Sequence, residues 1–336
     1  MFGRSSRFAM LAFLSVGLVA CSSGTTASQP TPASASPAPS QATVTASPAL
    51  PTPTAAPTPT PAPGTGAVVY DGRIDVGGGR KLEVKCFGVG APTILLEGGG
   101  IAPGIDAYPS IFAAKLGDTT TTCQYSQAGA RSSSDLPGPR TMAAVVGDAY
   151  ALLGALKQAA DVPDPYIFVG WSFGGGVALA EALAHPDQTK GLVILDTDFI
   201  VDFMKVCVAS GRSRADCQKE YDGDIEAKSL EKELVPTIHP LPDVPLRIVS
   251  AMAFPECDES DPSTLAVGIG GSDVKGKDCA DLAKQIADLQ QKGWSTINPD
   301  LKQTRVDADH DGLIDQAGSE IAPIILDLVT QARAGA

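Results

Sequence analysis

The chain has 336 residues, of which 38 are Asp or Glu and 25 are Lys or Arg, and its formal net charge is −13. This excess of acid, without a basic stripe, argues against nucleic acid or anionic lipid headgroups as charge-driven partners. The seven cysteines include no Cys-x-x-Cys pair. The sequence therefore predicts no zinc site, and the interpretation that we favour includes no metal and no cofactor.

Residues 1–21 have the pattern of an export signal. Arg4 and Arg7 precede an apolar run over residues 8–20, which is short for the membrane-spanning helix of a mature protein. The run ends at Cys21 in a segment that resembles the cleavage box of bacterial lipoproteins, where the cysteine becomes the lipidated first residue. We therefore expect an extracytoplasmic protein whose lipid on Cys21 anchors it to the membrane of a bacterial cell envelope. An ordinary signal peptide and an uncleaved anchor are the alternatives.

Residues 22–67 have the composition of a tether. From Ser22 to about Pro63 the segment consists mainly of Ser, Thr, Ala and Pro and carries no charged side chain. Such a segment has almost no apolar bulk to bury, and its prolines favour extended conformations. We predict a spacer that holds the folded domain away from the membrane or cell wall. The Thr-Pro repeats suit an O-glycosylated stalk equally well.

Residues 68–336 have the size and pattern of one α/β domain. Short apolar or alternating runs that suit strands alternate with stretches of helical periodicity. The predicted strands are Lys81–Cys86, Pro92–Leu96, Thr119–Tyr125, Tyr166–Val169, Gly191–Asp196 and Leu246–Ser250, and the predicted helices are Thr141–Lys157, a helix after Gly175, and Ile321–Val329. This alternation predicts a mostly parallel sheet covered by helices on both faces.

The segment around Ser172 joins one of these strands to the helix that follows it. Residues 170–174 read Gly-Trp-Ser-Phe-Gly, which fits G-x-S-x-G. A serine in this context sits on a tight, strained turn, where glycines on both sides avoid a steric clash. The helix N-terminus adds backbone donors and positive potential where an oxyanion forms. The pattern predicts a nucleophile elbow with Ser172 as the nucleophile, and for the bare motif a helix-capping serine is the alternative.

The stretch from about Asp71 to Ala334 resembles bacterial serine hydrolases of the α/β-hydrolase fold, of the esterase and lipase type. The features that carry the resemblance are Leu95–Gly99, Tyr125–Gly129, Gly170–Gly175, Gly191–Asp196 and Asp309–Asp311. The resemblance implies an α/β-hydrolase fold and acyl-transfer chemistry on the serine. The chain departs from its relatives at Ser126-Gln127, where they commonly carry Asp-Arg. In the relatives that pair usually supports its loop. The departure therefore affects the support of the loop and not the nucleophile.

The general base must be one of three histidines, because a serine hydroxyl needs a neighbouring imidazole to take its proton. His185 lies at the end of the helix after the elbow, and His239 lies just before a predicted strand. His310 lies in a loop just before the last helix, as the order serine, acid, histidine in this fold requires. We predict His310 as the base.

The acid of the triad has several candidates. Some members of the fold place it at the end of the sheet strand where Asp196 stands, although a carboxylate there is often structural. The more usual loop follows the next strand, where the nearest acids are Glu256 and Asp258. We favour Asp196 and keep Asp258 and Glu256 as alternatives. The oxyanion hole is expected to consist of the backbone N–H groups of Gly99 and Phe173.

The loop that carries His310 has a second interpretation. Residues 307–315 resemble the first nine positions of a calcium-binding loop, with alternating carboxylates and a glycine at the sixth position. The twelfth position is Gly318 where a Glu is expected, and Glu320 comes two residues late. Calcium bound beside a catalytic His310 and simply solvated aspartates are both open interpretations.

The six cysteines other than Cys21 are an even number, which in an exported chain indicates disulfides. In the strand order of the fold that the chain resembles, Cys86 and Cys123 lie on neighbouring strands. The expected pairs are Cys86–Cys123, Cys207–Cys217 and Cys257–Cys279. The insertion over residues 197–243 is expected to form a small cap. Because this insertion is short and polar, it favours small or medium soluble esters over aggregated triglyceride.

The sequence as a whole predicts a monomeric, lipid-anchored extracytoplasmic serine hydrolase. Its expected substrates are small-molecule carboxylic esters, cleaved through an acyl-enzyme on Ser172. A non-catalytic surface-binding lipoprotein that retains the fold is one alternative. A calcium-stabilised structural or adhesive lipoprotein that uses residues 307–315 is the other.

Overall fold

The computed structural model describes residues 66–100, 103–138, 140–197, 213–223, 241–251 and 290–335, together with positions 204, 208 and 288. The strands are β1 Val68–Gly77, β2 Arg80–Phe87, β3 Thr93–Glu97, β4 Thr122–Tyr125, β5 Tyr166–Trp171, β6 Thr189–Leu195, β7 Leu246–Ala251 and β8 Gln303–Val306. The helices are α1 Ser110–Gly117, α2 Met142–Ala160, α3 Phe173–Ala184, α4 Arg214–Gly223 and α5 Leu313–Ala334. Two short 3₁₀ helices cover Ile105–Ala107 and Pro186–Gln188, and residues 290–297 are also helical.

The eight strands form one sheet in the order β1-β2-β4-β3-β5-β6-β7-β8. The pairs β1–β2 and β2–β4 are antiparallel, and every neighbouring pair from β4 to β8 is parallel. The carboxyl ends of β3, β5, β6, β7 and β8 therefore lie along one edge of the sheet. Ligand and catalytic sites of parallel sheets are found at this edge.

Both faces of the sheet are covered by helices, because successive side chains of a strand point to opposite faces. In β5, Tyr166 and Phe168 pack in a buried cluster with residues of α2 and α3. Ile167 and Val169 pack in a second cluster with residues of α1 and α5. The predicted α/β architecture, a mostly parallel sheet with helices on both sides, is confirmed.

Some predicted element boundaries differ from the structure for local reasons. The helix predicted from Thr141 begins at Met142, because Thr141 is its N-cap and accepts a 3.2 Å hydrogen bond from the backbone N–H of Ala144. The sequence patterns did not reveal β1 or β8. In β1 the only fully buried residue is Ile74, and β8 is a short polar strand at the edge of the sheet. Neither strand carries the continuous apolar run that reveals a buried strand.

The disulfide predicted between Cys86 and Cys123 is present, with the two Cα atoms 4.1 Å apart. The two cysteines face each other in the antiparallel pairing of β2 with β4. Cys217, at the start of α4 in the predicted cap, is also disulfide-bonded. Cys207, Cys257 and Cys279 lie outside the described residues, so the other two pairings remain predictions.

Of the helices that the structure describes, none has the length and apolar character needed to cross a membrane. The predicted signal over residues 1–21 and most of the predicted tether over residues 22–67 lie outside the described part of the chain.

Candidate active site

Ser172 lies on the sharp turn between β5 and α3, as the motif predicts. Its backbone angles are φ 54° and ψ −126°, a conformation that residues other than glycine rarely adopt. Holding a residue in such a conformation costs on the order of 1–3 kcal/mol. The chain passes so close to itself that a Cβ on Gly170 would collide with the carbonyl of Gly174. The turn leaves Ser172 partly exposed at the carboxyl edge of the sheet.

The side chains of Ser172, His310 and Asp196 form a continuous hydrogen-bonded series, which we call the Ser-His-Asp network. Ser172 Oγ lies 3.0 Å from His310 Nε2, and His310 Nδ1 lies 2.7 Å from Asp196 Oδ2. A carboxylate only accepts hydrogen bonds, so Nδ1 carries the proton and Nε2 is left as the acceptor for the serine hydroxyl. This arrangement allows the imidazole to withdraw the hydroxyl proton.

Asp196 is held in place by the neighbouring strand. Its second carboxylate oxygen, Oδ1, accepts a 3.0 Å hydrogen bond from the backbone N–H of Ala251 at the end of β7. Its own backbone N–H donates to the carbonyl oxygen of Val249 at 2.7 Å. The residue is only 7% exposed, and its backbone has φ 46°. Asp196 thus turns out of the end of β6 toward His310.

The two residues expected to supply the oxyanion hole lie next to the serine. Phe173 is the first residue of α3, so its N–H has no acceptor within the helix. Gly99 packs against the serine so closely that a Cβ at this position would lie 2.8 Å from Ser172 Cβ. Both backbones therefore lie beside Ser172. Their role as donors remains a prediction.

The departure at Ser126-Gln127 leaves the loop well supported. Ser126 Oγ donates to a carboxylate oxygen of Glu83 at 2.6 Å and accepts from the N–H of Ile105 at 2.8 Å. The Gln127 amide donates to Glu97 Oε2 at 3.3 Å, and its oxygen accepts from the guanidinium of Arg140. These neutral side chains connect the segment after β4 to β2, to Ile105 and to the end of β3.

Glu97 is a buried carboxyl beside the site that the sequence analysis did not single out. It is the last residue of β3 and is 0% exposed. Burial raises its pKa to about 7, although hydrogen bonds from Tyr125 and Gln127 and the charge of Arg140 act in the opposite direction. The signal in the sequence was an acidic residue at the end of a buried, largely apolar strand.

The other candidate residues are placed as follows. His185 caps the far end of α3, and a rise of 1.5 Å per residue puts it about 20 Å from Ser172. Its ring stacks on Tyr150, and burial lowers its pKa. His239, Glu256 and Asp258 lie outside the described residues, so the two alternative acids remain untested.

The carboxylate of Asp309 holds the loop that resembles a calcium site. Asp309 Oδ1 accepts a 2.5 Å hydrogen bond from the N–H of Gly312, and Oδ2 accepts from the amide of Gln316. Gln316 Oε1 in turn accepts from the N–H of Asp309 at 3.1 Å. These bonds fix the turn that presents His310. In the described ranges, no group of three or more His, Cys, Asp or Glu side chains is placed to hold a metal ion.

Comparison with known proteins identifies the architecture. No family model matches the chain, and neither does any curated protein. An E-2-(acetamidomethylene)succinate hydrolase is structurally similar, with a TM-score of 0.53, 16% identity and coverage of 78% of this chain and 99% of that one. The chain has the α/β-hydrolase fold.

Two further structures share this fold. The α/β hydrolase domain-containing protein 10 from mouse has a TM-score of 0.50 and 16% identity over 78% of this chain and 99% of its own. A proline iminopeptidase from Mycobacterium smegmatis has a TM-score of 0.50 and 15% identity, with coverage of 80% of this chain and 100% of its own.

Proposed function

We propose that the protein is a serine hydrolase that cleaves small carboxylic esters through an acyl-enzyme on Ser172. The observation that carries the proposal is the Ser-His-Asp network, with 3.0 Å between Ser172 Oγ and His310 Nε2 and 2.7 Å between His310 Nδ1 and Asp196 Oδ2. The strained backbone of Ser172 and the adjacent helix N-terminus support it, because both are features of a nucleophile elbow.

The reaction proceeds in two halves. In acylation, Ser172 Oγ attacks the ester carbonyl carbon as His310 Nε2 takes the hydroxyl proton, and Asp196 stabilises the imidazolium. The N–H groups of Gly99 and Phe173 stabilise the oxyanion. The tetrahedral intermediate breaks its bond to the alcohol oxygen, which leaves with the proton from Nε2. In deacylation, a water gives its proton to Nε2, attacks the acyl carbon and releases the acid, and the proton returns to Ser172.

The location of this activity is a second part of the proposal. We propose that the signal over residues 1–21 exports the protein and that a lipid on Cys21 anchors it to the membrane of the cell envelope. Residues 22–67 then act as the spacer between the lipid and the hydrolase domain. The support for this part is the sequence pattern described above.

A fluorophosphonate probe tests the chemistry without knowledge of the natural substrate. It phosphonylates a serine only where an adjacent base activates the hydroxyl. We expect the protein to be labelled, and the Ser172→Ala variant not to be labelled. Ser319→Ala, which changes an exposed serine of α5, is the matched control and should be labelled like the unmodified protein. A well-folded protein that takes up no probe would favour the non-catalytic surface-binding alternative.

A panel of p-nitrophenyl esters then tests the substrate class. We expect turnover of short and medium acyl chains and little turnover of emulsified triglyceride. Labelling by the probe without turnover of any ester would keep the serine mechanism and refute the ester specificity.

A further inference from the structure

Two buried carboxyl groups meet beneath the serine turn. Glu97 ends β3 and directly precedes Gly98-Gly99, and Glu181 lies in α3, the helix that Ser172 begins. Both residues are 0% exposed, and their side chains are within hydrogen-bonding contact. Two ionised carboxylates in contact in an apolar interior repel each other and lose their hydration, which is strongly unfavourable.

The surroundings of the pair supply donors to one side only. The hydroxyl of Tyr125 donates to Glu97 Oε2 at 2.8 Å, and the amide of Gln127 donates to the same oxygen at 3.3 Å. Apart from the carboxyl of the other Glu, no group in the described residues donates to Glu97 Oε1 or to either carboxyl oxygen of Glu181. A carboxylic acid O–H is the donor that these oxygens require.

The remaining charged or titratable groups around the pair do not replace a proton. The charge of the Arg140 guanidinium lowers the pKa of Glu97, and the guanidinium is hydrogen-bonded to the Gln127 side chain. The phenols of Tyr108 and Tyr150 face Glu97 and Glu181 respectively, and burial raises the pKa of both phenols, so they remain neutral. A proton between the two carboxyls therefore satisfies them best.

The pair also lies where it can position the oxyanion loop. The carbonyl oxygen of Glu97 accepts a 3.2 Å hydrogen bond from the hydroxyl of Tyr108. A Cβ on Gly174, in the first turn of α3, would collide with that same carbonyl. The backbone of Glu97 thus touches the start of α3, and its side chain touches Glu181 further along the helix. Two contacts of this kind fix the angle between Gly98-Gly99 and the helix that Ser172 begins.

We propose that Glu97 and Glu181 share one proton in the folded protein and act as positioning residues that hold the oxyanion loop against α3. The part that concerns catalysis rests on the function proposed above. The shared proton does not, because it is a property of the fold and is measured without substrate.

The shared proton gives the stability of the protein a defined pH dependence. In the unfolded chain both carboxyls have their ordinary pKa of 4.5. In the folded protein burial raises the pKa of Glu97 to about 7, and burial and the charge of Glu97 raise the pKa of Glu181 well above its ordinary value. Between these values the folded protein holds a proton that the unfolded chain has lost, so stability decreases as the pH rises. Because unfolding releases this proton, the unfolding equilibrium constant increases about tenfold for each pH unit in this range. The stabilisation is complete below about pH 4.5; the part due to Glu97 is lost as the pH passes through about 7, and the part due to Glu181 persists to higher pH.

Urea unfolding of the full-length protein from pH 4.5 to 8 tests the shared proton. Glu181→Gln replaces the acid by an amide that donates to Glu97 and needs no proton. We expect the ratio of the unfolding constants of Glu181→Gln and the unmodified protein to change about tenfold per pH unit. The matched control is Glu320→Gln, which makes the same change at an exposed position of α5 and should leave the dependence unaltered. Identical pH dependence in Glu181→Gln and the unmodified protein would overturn the proposal.

Infrared spectroscopy decides the matter if Glu181→Gln does not fold. The unmodified protein at pH 6 should show the carbonyl band of a protonated, buried carboxylic acid, whereas exposed carboxyls are ionised at that pH. Absence of the band overturns the shared proton.

Kinetics test the positioning role with a p-nitrophenyl ester. Glu181→Gln keeps a donor to Glu97 and should retain kcat, and Glu181→Leu removes the donor and should lose about tenfold in kcat with KM little changed. Equal kcat in the two variants would refute the positioning role. If the unmodified protein hydrolyses no ester, the function proposed above fails, and the unfolding and infrared measurements still decide the shared proton.

Discussion

The indole N–H of Trp171 donates a 3.1 Å hydrogen bond to the backbone carbonyl oxygen of His310, a residue 139 positions later in the chain. The two rings also lie near each other, with their centroids 5.6 Å apart. Trp171 is the residue directly before Ser172. The turn that carries Ser172 therefore also fixes the backbone of the loop that carries His310.

We expect Trp171→Phe to lower kcat because it removes this bond and keeps the aromatic ring. A net hydrogen bond contributes about 1 kcal/mol, which corresponds to roughly fivefold in rate if it serves to position the imidazole. Trp294→Phe is the control, since Trp294 is fully buried in the cluster of α2 and α3. It should lower Tm and leave kcat unchanged. A Trp171→Phe variant with a lowered Tm and normal kcat would show that the bond is structural only.

His310→Ala should remove nearly all turnover and leave the fold intact, because the imidazole takes and returns protons in both halves of the reaction. The expected loss in kcat is on the order of 10⁴-fold or more. His185→Ala removes a ring that stacks on Tyr150 at the far end of α3 and should retain most activity. Circular dichroism of each variant checks the fold. Loss of turnover in folded His185→Ala or His239→Ala, with activity kept in His310→Ala, would contradict the assignment.

Asp196→Asn should lower kcat by about 10⁴-fold if this carboxylate alone orients His310. The amide retains an oxygen for the N–H of Ala251, so the end of β6 should keep its position. The measurement is kcat on the best p-nitrophenyl ester, with Asp258→Asn and Glu256→Gln in parallel. If Asp196→Asn has a near-normal kcat and one of the other two variants loses almost all of its kcat, the acid of the triad lies in the later loop.

Replacement of both Cys86 and Cys123 by alanine should destabilise the protein by about 3–4 kcal/mol, the loop-closure entropy of a 37-residue separation in the chain-entropy model. Urea unfolding of the variant and the unmodified protein measures this difference. Non-reducing peptide mapping of the unmodified protein tests the other expected pairs, Cys207–Cys217 and Cys257–Cys279. A linkage of Cys217 to Cys257 or Cys279 would refute them.

Cys21→Ala should release the protein from the membrane fraction of an expressing bacterium. The replacement removes the thiol to which we propose that the lipid is attached, and the acidic domain has no other predicted attachment to a membrane. Incorporation of labelled palmitate, read together with fractionation, provides the measurement. Membrane association that persists in Cys21→Ala without label would favour an uncleaved anchor.

Local sequence patterns were sufficient to predict the serine turn and the histidine loop. The turn is encoded by neighbouring residues, since an apolar strand, two glycines and a helix around Ser172 constrain one another over short distances. His310 followed from elimination among three histidines and from the order of the parts. The Cys86–Cys123 bond followed from the strand order of the resembled fold, in which a shift in pairing would have separated the two cysteines.

The contacts between distant strands and helices were beyond such patterns. Asp196 is one of several acids near the ends of strands, and it reaches His310 because β7 lies beside β6 and the N–H of Ala251 orients its carboxylate. In the sequence, Glu97 is only an acid at the end of a strand, and Glu181 is only an acid on a helix. Their contact depends on how β3 packs against α3. The raised pKa of both carboxyls depends on the same packing. Proton affinity depends on burial and on neighbours, and both arise when segments far apart in the chain pack together.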